Sequence, residues 1–488
     1  MTAHDDLREQ IDRQERRLRR DVPADREAAT LALLRGLAAL SSSTMTSPDP
    51  DLITGRHVAG LGANKALQLC LESSASEGSS RSTGEFADWA ERFLQACEHL
   101  VEAEQVLVHC ETGFMRLVAQ EDGTFAAWIA TKRPPTIWRE RADIAWWASS
   151  LARQHASELL QMMAYQLNYP PEAILGGCSV QTHCDVLGWL LRCTVRDRDG
   201  GAVSSWSEQS LTRTIADDLR LDAEIIARVV ASLTVERASA AYHAAVPGVA
   251  AAPLVRLNAD RLIVSPFGVT TQPFFFLTRD LRRRDAEAYH NSAFLREQVF
   301  RKDLYALFAD KRFVTSPGRI KLRRTDGDVR TDIDAVVFDR KTGTLGLFEL
   351  KSQDPFARST AELTRQRDNV LYANRQISGI LAWVQRYGAD ELLDRVDHRT
   401  AKTFRAHKIF PFVLGRYLVH FTDGPTPDRR AAWATWPQLL RLLDGHEVSA
   451  KESNPLASLF TRLSNDVPLS QPIAENSLPA YEIPLGDR

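Results

Sequence analysis

Apolar residues recur every three or four positions through much of the first 250 residues of the chain. Two of the clearest runs are Leu31, Leu33, Leu34 and Leu37, and Phe86, Trp89, Phe93 and Leu94. This period is typical of amphipathic helices, which pack one apolar face against a core. The pattern therefore predicts a predominantly α-helical amino-terminal region, interrupted by a serine-rich stretch at residues 73–84.

The pattern changes after residue 250. Apolar runs within residues 253–266 surround a polar turn and predict a β-hairpin. From about residue 290 to 440 the order becomes helix, three strands, long helix and strand, which is an α/β unit. We expect an α+β multidomain protein, with a helical segment at 1–72, a mostly helical domain at 85–250, a hairpin and connector at 251–289, an α/β domain at 290–445 and a tail at 446–488.

Within the helical domain, residues 205–235 predict two helices joined by a short turn, with Asp222 as the N-cap of the second. This layout resembles a helix-turn-helix. The alternative is an ordinary packed helix pair, because the predicted second helix carries only one basic residue, Arg228.

The candidate chemistry lies in a second predicted hairpin. Apolar runs at 333–338 and 345–350 flank the turn sequence DRKTG. Because strand residues alternate between the two faces of a sheet, Asp334, Glu349 and Lys351 can meet on one side. Two neighbouring carboxylates require a counter-charge, and Mg²⁺ is typically held by one or two carboxylates. A lysine beside the ion can stabilise charge that develops on a phosphate oxygen.

These residues resemble the PD-(D/E)xK nuclease superfamily: Asp334 is followed fifteen positions later by Glu349-Leu350-Lys351, and Ile333 takes the place of the family's proline. The resemblance covers residues 290–425 and implies a restriction-endonuclease-like domain, with a central mixed sheet flanked by helices. It also implies that Asp334, Glu349 and the backbone carbonyl of Leu350 bind Mg²⁺, for which Mn²⁺ would substitute. Lys351 would act on the attacking water.

Each flanking helix adds a candidate residue. Glu297 falls within the apolar stripe of a helix at 292–309, where the family often has a site glutamate; the alternative is a structural pair with Arg296 or Arg301. Gln366 lies on the apolar stripe of a long helix predicted at 357–386. The RecB-like branch of the family has Gln-x-x-x-Tyr in this helix. Here position 370 is valine and Tyr372 falls on the opposite face, so only the glutamine is carried over.

Charge is balanced over the whole chain, with 61 Lys and Arg against 63 Asp and Glu. This excludes a uniformly basic nucleic-acid coat, but it leaves room for local basic surfaces. Residues 311–324 hold six bases and no acid, and residues 279–284 and 395–408 add more. We therefore expect nucleic-acid contacts from Lys311, Arg312, Arg319, Lys321, Arg323 and Arg324. The alternative is that these charges only face solvent.

Together these features predict a Mg²⁺-dependent deoxyribonuclease, of the kind found among restriction and phage-defence effectors. The alternatives are an inactive nucleic-acid-binding regulator and an RNA endonuclease of the same fold. No signal peptide or membrane-length apolar run is visible, so a cytoplasmic protein without membrane contact is expected. No phosphate-binding loop of the G-x-x-x-x-G-K-[ST] kind is visible, so the chain carries no visible ATP motor of its own. The basic stretches make nucleic acid, DNA rather than RNA, the expected partner, with a second copy or a separate ATPase or sensor as further candidates.

Overall fold

A computed structural model describes residues 2–45, 62–72, 83–111, 115–119, 125–129, 168–196, 203–245, 251–270, 273–323, 329–353, 360–417, 419, 425–443, 448–449, 451–466 and 481–482. Most of the serine-rich stretch, and Arg324 of the basic stretch, lie outside these residues. The described chain is α+β, as the sequence predicts. None of its helices combines the length and the apolar run needed to cross a bilayer.

The amino-terminal helices share one core. They are α1 (Ala3–Asp21), α2 (Arg26–Met45), α3 (Ala63–Glu72) and α4 (Thr83–Glu111), followed by the antiparallel strands β1 (Met115–Ala119) and β2 (Phe125–Ile129). Leu7, Leu33, Leu69 and Trp89, one from each helix, are buried together. The predicted helices are confirmed, but the expected boundary between residues 72 and 85 does not separate two cores.

The middle of the chain forms a second core around a four-stranded sheet of order β5-β8-β7-β6. Its elements are β3 (Ile174–Leu175), β4 (Cys178–Ser179), α5 (Val180–Arg196), β5 (Ser205–Trp206), α6 (Glu208–Leu219), α7 (Ala223–Ser232), β6 (Thr234–Val235), α8 (Arg237–Ala244), β7 (Leu254–Asn258), β8 (Arg261–Val264), α9 (Pro266–Thr270), α10 (Pro273–Arg284) and α11 (Ala286–Asn291).

The predicted hairpin at 253–266 and the helix pair at 205–235 are both confirmed. Asp222 caps α7 by accepting hydrogen bonds from the backbone N–H groups of Glu224 and Ile225. The hairpin does not belong to a separate connector, because Leu254 and Phe274 pack in the same core as Ile226 of α7. The expected segment at 251–289 therefore contributes to the second core, and its Ala251 and Phe267 are buried with the amino-terminal helices.

The carboxy-terminal part is built on a five-stranded mixed sheet of order β15-β14-β13-β12-β9. Strand β13 runs antiparallel to β12 and parallel to β14. In chain order the elements are α12 (Ala293–Ala306), β9 (Phe313–Thr315), β10 (Ile320–Arg323), β11 (Val329–Ile333), β12 (Ala335–Asp339), β13 (Thr344–Lys351), α13 (Thr360–Leu371), α14 (Ala373–Tyr387), α15 (Ala389–Val396), α16 (His398–Thr403), β14 (Lys408–Gly415), β15 (Ala432–Thr435), α17 (Trp436–Leu442) and α18 (Pro455–Asn465).

Helices cover both faces of this sheet. On one face, Ile377 and Trp383 of α14 pack against alternate strand residues such as Leu347. On the other face, Phe300 of α12 packs in a core with Phe348. Because Leu347 and Phe348 lie in different cores, the strand alternation expected for this hairpin is present.

The tight turn between β12 and β13 requires glycine, because Gly343 has φ +64° and a Cβ atom there would lie 2.6 Å from the carbonyl oxygen of Arg405.

Residues 446–488 were expected to form a tail, but among the residues that the structure describes there, 455–465 form a packed helix. Helix α18 begins at Pro455 after the N-cap Asn454, and it buries Leu456, Leu459 and Leu463 against the mixed sheet. These leucines lie on one face of the helix, and burying them adds to the core of the carboxy-terminal unit. Further on, β16 (Tyr481–Glu482) pairs with β2 of the amino-terminal unit.

Candidate functional site

The structure brings the three predicted hairpin residues together. Ala335 pairs with Phe348 in the β12–β13 register, so Asp334, one position earlier, lies beside Glu349. Asp334 accepts a hydrogen bond at Oδ2 from the Leu350 backbone N–H, at 2.9 Å. Lys351 donates from Nζ to Glu349 Oε1, also at 2.9 Å. All three side chains are buried on the face of the sheet that α14 covers.

Glu349 is the most strongly perturbed acid of this group. Burial, with the negative charge of Asp334, raises the pKa of Glu349 to about 8, although Lys351 opposes the shift. Glu349 Oε2 is buried and has no hydrogen-bond partner in the described part of the chain. A buried carboxylate oxygen without a partner is costly, and a bound cation would remove that cost.

The perturbed pKa makes stability depend on pH when divalent cations are absent. An unfolded chain releases the Glu349 proton near its ordinary pKa of 4.5, whereas the folded protein holds it up to about pH 8. We therefore expect the free energy of unfolding to fall as pH rises through this window, by at most about 1.4 kcal/mol per pH unit. Urea unfolding in EDTA at about pH 5, 7 and 9 measures this. Glu349→Gln should flatten the profile, and an equally steep profile in that variant would contradict the assignment.

Lys351 is held on its other side by a residue that the sequence did not single out. Its Nζ donates to Gln376 Oε1 at 2.7 Å. Gln376 lies on α14 between Ala373 and Ile380, which are buried three positions before it and four positions after it. A polar side chain on a buried helical stripe was the signal that could have identified it.

The helix that was expected at 357–386 is divided at Tyr372 into α13 and α14. Gln366 lies half-buried on α13, so its predicted site role stays a prediction. Tyr372 is 52% exposed, but it does not face away from the site as expected, because Lys351 Nζ lies 6.0 Å from its ring centroid. The expectation assumed one continuous helix, whereas the helix breaks at this residue and the ring borders the site.

Glu297 of α12 also belongs to this acidic group. Burial, together with the negative charge of Asp334, raises the pKa of Glu297. Its carboxylate contacts the guanidinium groups of Arg301 and Arg319. Glu297 therefore forms the structural ion pair with Arg301 and also lies near the predicted metal ligand Asp334. The two roles do not exclude each other.

Arg319, expected on a nucleic-acid surface, instead lies among carboxylates. Besides Glu297, it contacts Asp332 at 3.1 Å from Nη1 and Asp334 at 3.2 Å from Nε. Its side chain remains 42% exposed. Arg319 is therefore an internal counter-charge for the acids of the site, at a point that solvent can reach.

The other basic residues divide into buried and exposed groups. Arg312 makes a two-pronged ion pair with fully buried Asp339, at 2.6 and 2.7 Å, which makes it a structural residue and not a surface contact. Lys311, Lys321 and Arg323 are exposed, as a nucleic-acid contact requires.

The basic run at 279–284 is engaged within the chain. Arg282 pairs with Glu362 of α13 at 2.8 Å, and Arg283 and Arg284 pair with buried Asp280. Arg282 joins α10 to α13, and Arg284 also donates to the Ala231 carbonyl oxygen, so their charges are largely used within the chain although Arg284 stays 40% exposed.

The donor atoms suit a hard divalent cation. Among the described residues, no three His, Cys, Asp or Glu side chains are arranged as a metal site. Two carboxylates are in place, Asp334 and Glu349, and the second has a buried oxygen without a hydrogen-bond partner. Mg²⁺ commonly uses one or two carboxylates and completes its coordination with water and substrate oxygens, so the set fits this ion. The Leu350 carbonyl stays a predicted third ligand.

Comparisons of the chain with protein-family models, curated proteins and solved structures find no match. The functional assignment therefore depends on the side chains and contacts of the site itself. These define a buried carboxylate pair with an adjacent lysine amine, at the end of a β-hairpin in a mixed sheet.

Proposed function

We propose that the chain is a Mg²⁺-dependent nuclease that hydrolyses phosphodiester bonds, with DNA as its preferred substrate. The observation that carries the proposal is the buried Asp334–Glu349 pair, with Glu349 Oε2 unpartnered among the described residues and Lys351 bound to Oε1. The order of the mixed sheet and its cover of helices on both faces are compatible with a restriction-endonuclease-like domain over residues 290–465.

In this proposal Asp334 and Glu349 hold the ion and Lys351 serves the reaction. Bound Mg²⁺ would neutralise the two carboxylates and polarise a phosphate oxygen as a Lewis acid. The amine of Lys351 is fixed between Glu349 and Gln376, so it can orient the attacking water and offset charge on the phosphate. Burial of these groups strengthens every electrostatic interaction in the site.

Basic side chains near the acids fit a polyanion. Arg319 is partly exposed beside Asp334, and Lys321 and Arg323 are exposed on β10, just after it. Lys311 is also exposed, but it lies at the other end of β12, beside Arg340. Phosphate groups of a nucleic-acid backbone are attracted to such cations without regard to sequence. Nothing in this chemistry reads a particular base.

Incubation of the full chain with supercoiled plasmid, linear duplex, single-stranded DNA and RNA, each with Mg²⁺ or EDTA, tests the proposal. Cleavage of a DNA substrate that requires the metal is the expected result. Cleavage of RNA alone would favour the RNA endonuclease. Binding without cleavage of any substrate, with Mg²⁺ or Mn²⁺, would favour the inactive regulator.

Arg319 is expected to compete with the metal, because both are cations bound by Asp334. Arg319→Ala should therefore increase the affinity for Mn²⁺ in calorimetric titration, by about tenfold if one favourable charge contact of about 1.4 kcal/mol is released. It should also lower the melting temperature in EDTA, because three acids lose their counter-charge. Lys321→Ala removes an exposed charge nearby and is the matched control. Unchanged or weaker Mn²⁺ binding by Arg319→Ala would contradict the competition.

A further inference from the structure

A side chain from the amino-terminal half reaches the candidate site. Asn168 is 2% exposed, and its amide nitrogen donates to the Arg296 carbonyl oxygen at 3.1 Å and to Ser352 Oγ at 2.9 Å. These partners are 128 and 184 residues away along the chain. Arg296 immediately precedes Glu297, and Ser352 immediately follows Lys351. One amide group therefore joins the two chain segments that carry the acids and the lysine.

The neighbouring residue fixes Asn168 in place. The Tyr169 hydroxyl lies 3.1 Å from Ser292 Oγ at the start of α12. The Arg296 guanidinium packs over the Tyr169 ring at 4.6 Å and over the Tyr289 ring at 5.1 Å. Arg296 is itself only 5% exposed. A buried arginine packed over two tyrosine rings anchors the segment, so the Asn168 contacts belong to a packed interface.

The side chain of Asn168 has a role of its own, in addition to the conformation of its backbone. Its φ of +56° is a left-handed conformation that asparagine tolerates and that glycine adopts at no steric cost. Glycine would also avoid burying the amide oxygen Oδ1, which has no partner among the described residues. Backbone conformation and the cost of the buried oxygen alone would therefore favour glycine. The two hydrogen bonds of Nδ2 are what distinguish asparagine from it.

We infer that Asn168 is a positioning residue of the hydrolytic site: it acts through Ser352 on Lys351 and through the backbone of Arg296 on Glu297. The inference rests on the proposed function. It gives the amino-terminal half a direct part in assembling the site, although the residues that touch metal and substrate all lie beyond residue 290. The two hydrogen bonds of Asn168 go to Arg296 and Ser352 and not to Asp334, Glu349 or Lys351, so its effect is on geometry alone.

Asn168→Gly in the full chain tests this role, because it keeps the backbone conformation and removes both hydrogen bonds. We expect kcat to fall by about tenfold to a hundredfold, the cost of misplacing a catalytic group by a fraction of an ångström to one ångström. KM and the Mn²⁺ affinity should stay near wild type, because the metal ligands and the basic surface are untouched. Asn291→Gly, at the exposed end of α11, is the matched control and should cleave normally.

A double-mutant cycle shows the route of the effect. Ser352→Ala should lower kcat less than Asn168→Gly, and the double variant should be no slower than Asn168→Gly alone. Asn168→Asp keeps the shape but cannot donate to the Arg296 carbonyl oxygen, so it should also lower kcat, and it replaces the glycine variant if that one fails to fold. A wild-type kcat in a folded Asn168 variant would overturn the inference. So would a double variant whose loss in kcat equals the product of the losses in Asn168→Gly and Ser352→Ala. An inactive wild type would count against the proposed function instead.

Discussion

Alanine at position 351 is expected to slow phosphodiester cleavage by about two to four powers of ten while leaving nucleic-acid affinity almost unchanged. The Lys351 amine is buried between Glu349 and Gln376, so no other cation in these contacts can take its place. Both proposed side-chain metal ligands remain in the variant. In the proposed enzyme, nucleic-acid affinity comes from exposed basic side chains such as Lys321 and Arg323, which the substitution leaves in place. Single-turnover cleavage and equilibrium binding in Ca²⁺ measure the two quantities separately.

The control for this variant is Lys341→Ala, which removes an exposed lysine from the turn of the same hairpin. Lys351→Met preserves most of the side-chain volume and separates loss of the amine from loss of packing. Both Lys351 variants leave Glu349 without its cation, so Glu349 should hold its proton more firmly until metal binds. Cleavage at the wild-type rate by a folded Lys351→Ala protein would show that the site is wrongly assigned.

The part of the site that could be predicted from sequence is local. Strand alternation and a glycine turn place Asp334, Glu349 and Lys351 on one face, and the sequence contains both signals. The helix pair with its Asp222 cap and the hairpin at 253–266 were predictable for the same reason, since neighbouring residues determine them.

The rest depends on contacts between distant segments, which no local pattern contains. The six lysines and arginines of residues 311–324 look alike in sequence, yet Arg312 is paired with buried Asp339 and Arg319 with the acids of the site. Gln366 and Gln376 lie on one helix in the sequence-based prediction. In the structure the helix breaks at Tyr372, so Gln366 is on α13 and Gln376 is on α14, where it binds Lys351. Asn168 lies in no motif, because its partners are more than a hundred residues away.

The packing of residues 455–465 was not predicted for a related reason. Charge and composition at 446–488 resemble a tail, but the leucines of α18 complete the core beneath the mixed sheet. A short amphipathic helix reveals its periodicity only when its partner surface is known. The carboxy-terminal unit therefore extends to residue 465, and Arg312 bonds to the backbone of Glu452 and Ser453 just before that helix.

Asparagine at position 334 should abolish the response of the protein to divalent cations. In the wild type, Mg²⁺ or Mn²⁺ is expected to raise the melting temperature, because the ion binds the folded carboxylate pair and not the unfolded chain. Asp334→Asn can still accept the hydrogen bond from the Leu350 N–H, so the hairpin should fold. It removes one of the two anionic ligands, and the cleavage rate should fall by at least about two powers of ten because several kcal/mol of metal-dependent stabilisation are lost.

Asp339→Asn is the matched control for this variant, since Asp339 is also buried, at the far end of β12, but is paired with Arg312. It should destabilise the fold, yet keep both the metal-induced rise in melting temperature and the cleavage rate of the folded protein. Asp334→Asn should also lower the pKa of Glu349, because the negative charge of Asp334 helps to raise it. The total fall in stability between about pH 4.5 and 8 in EDTA should then become smaller, because it ends at a lower pH. A full metal response in Asp334→Asn, or its loss in Asp339→Asn, would place the cation elsewhere in the chain.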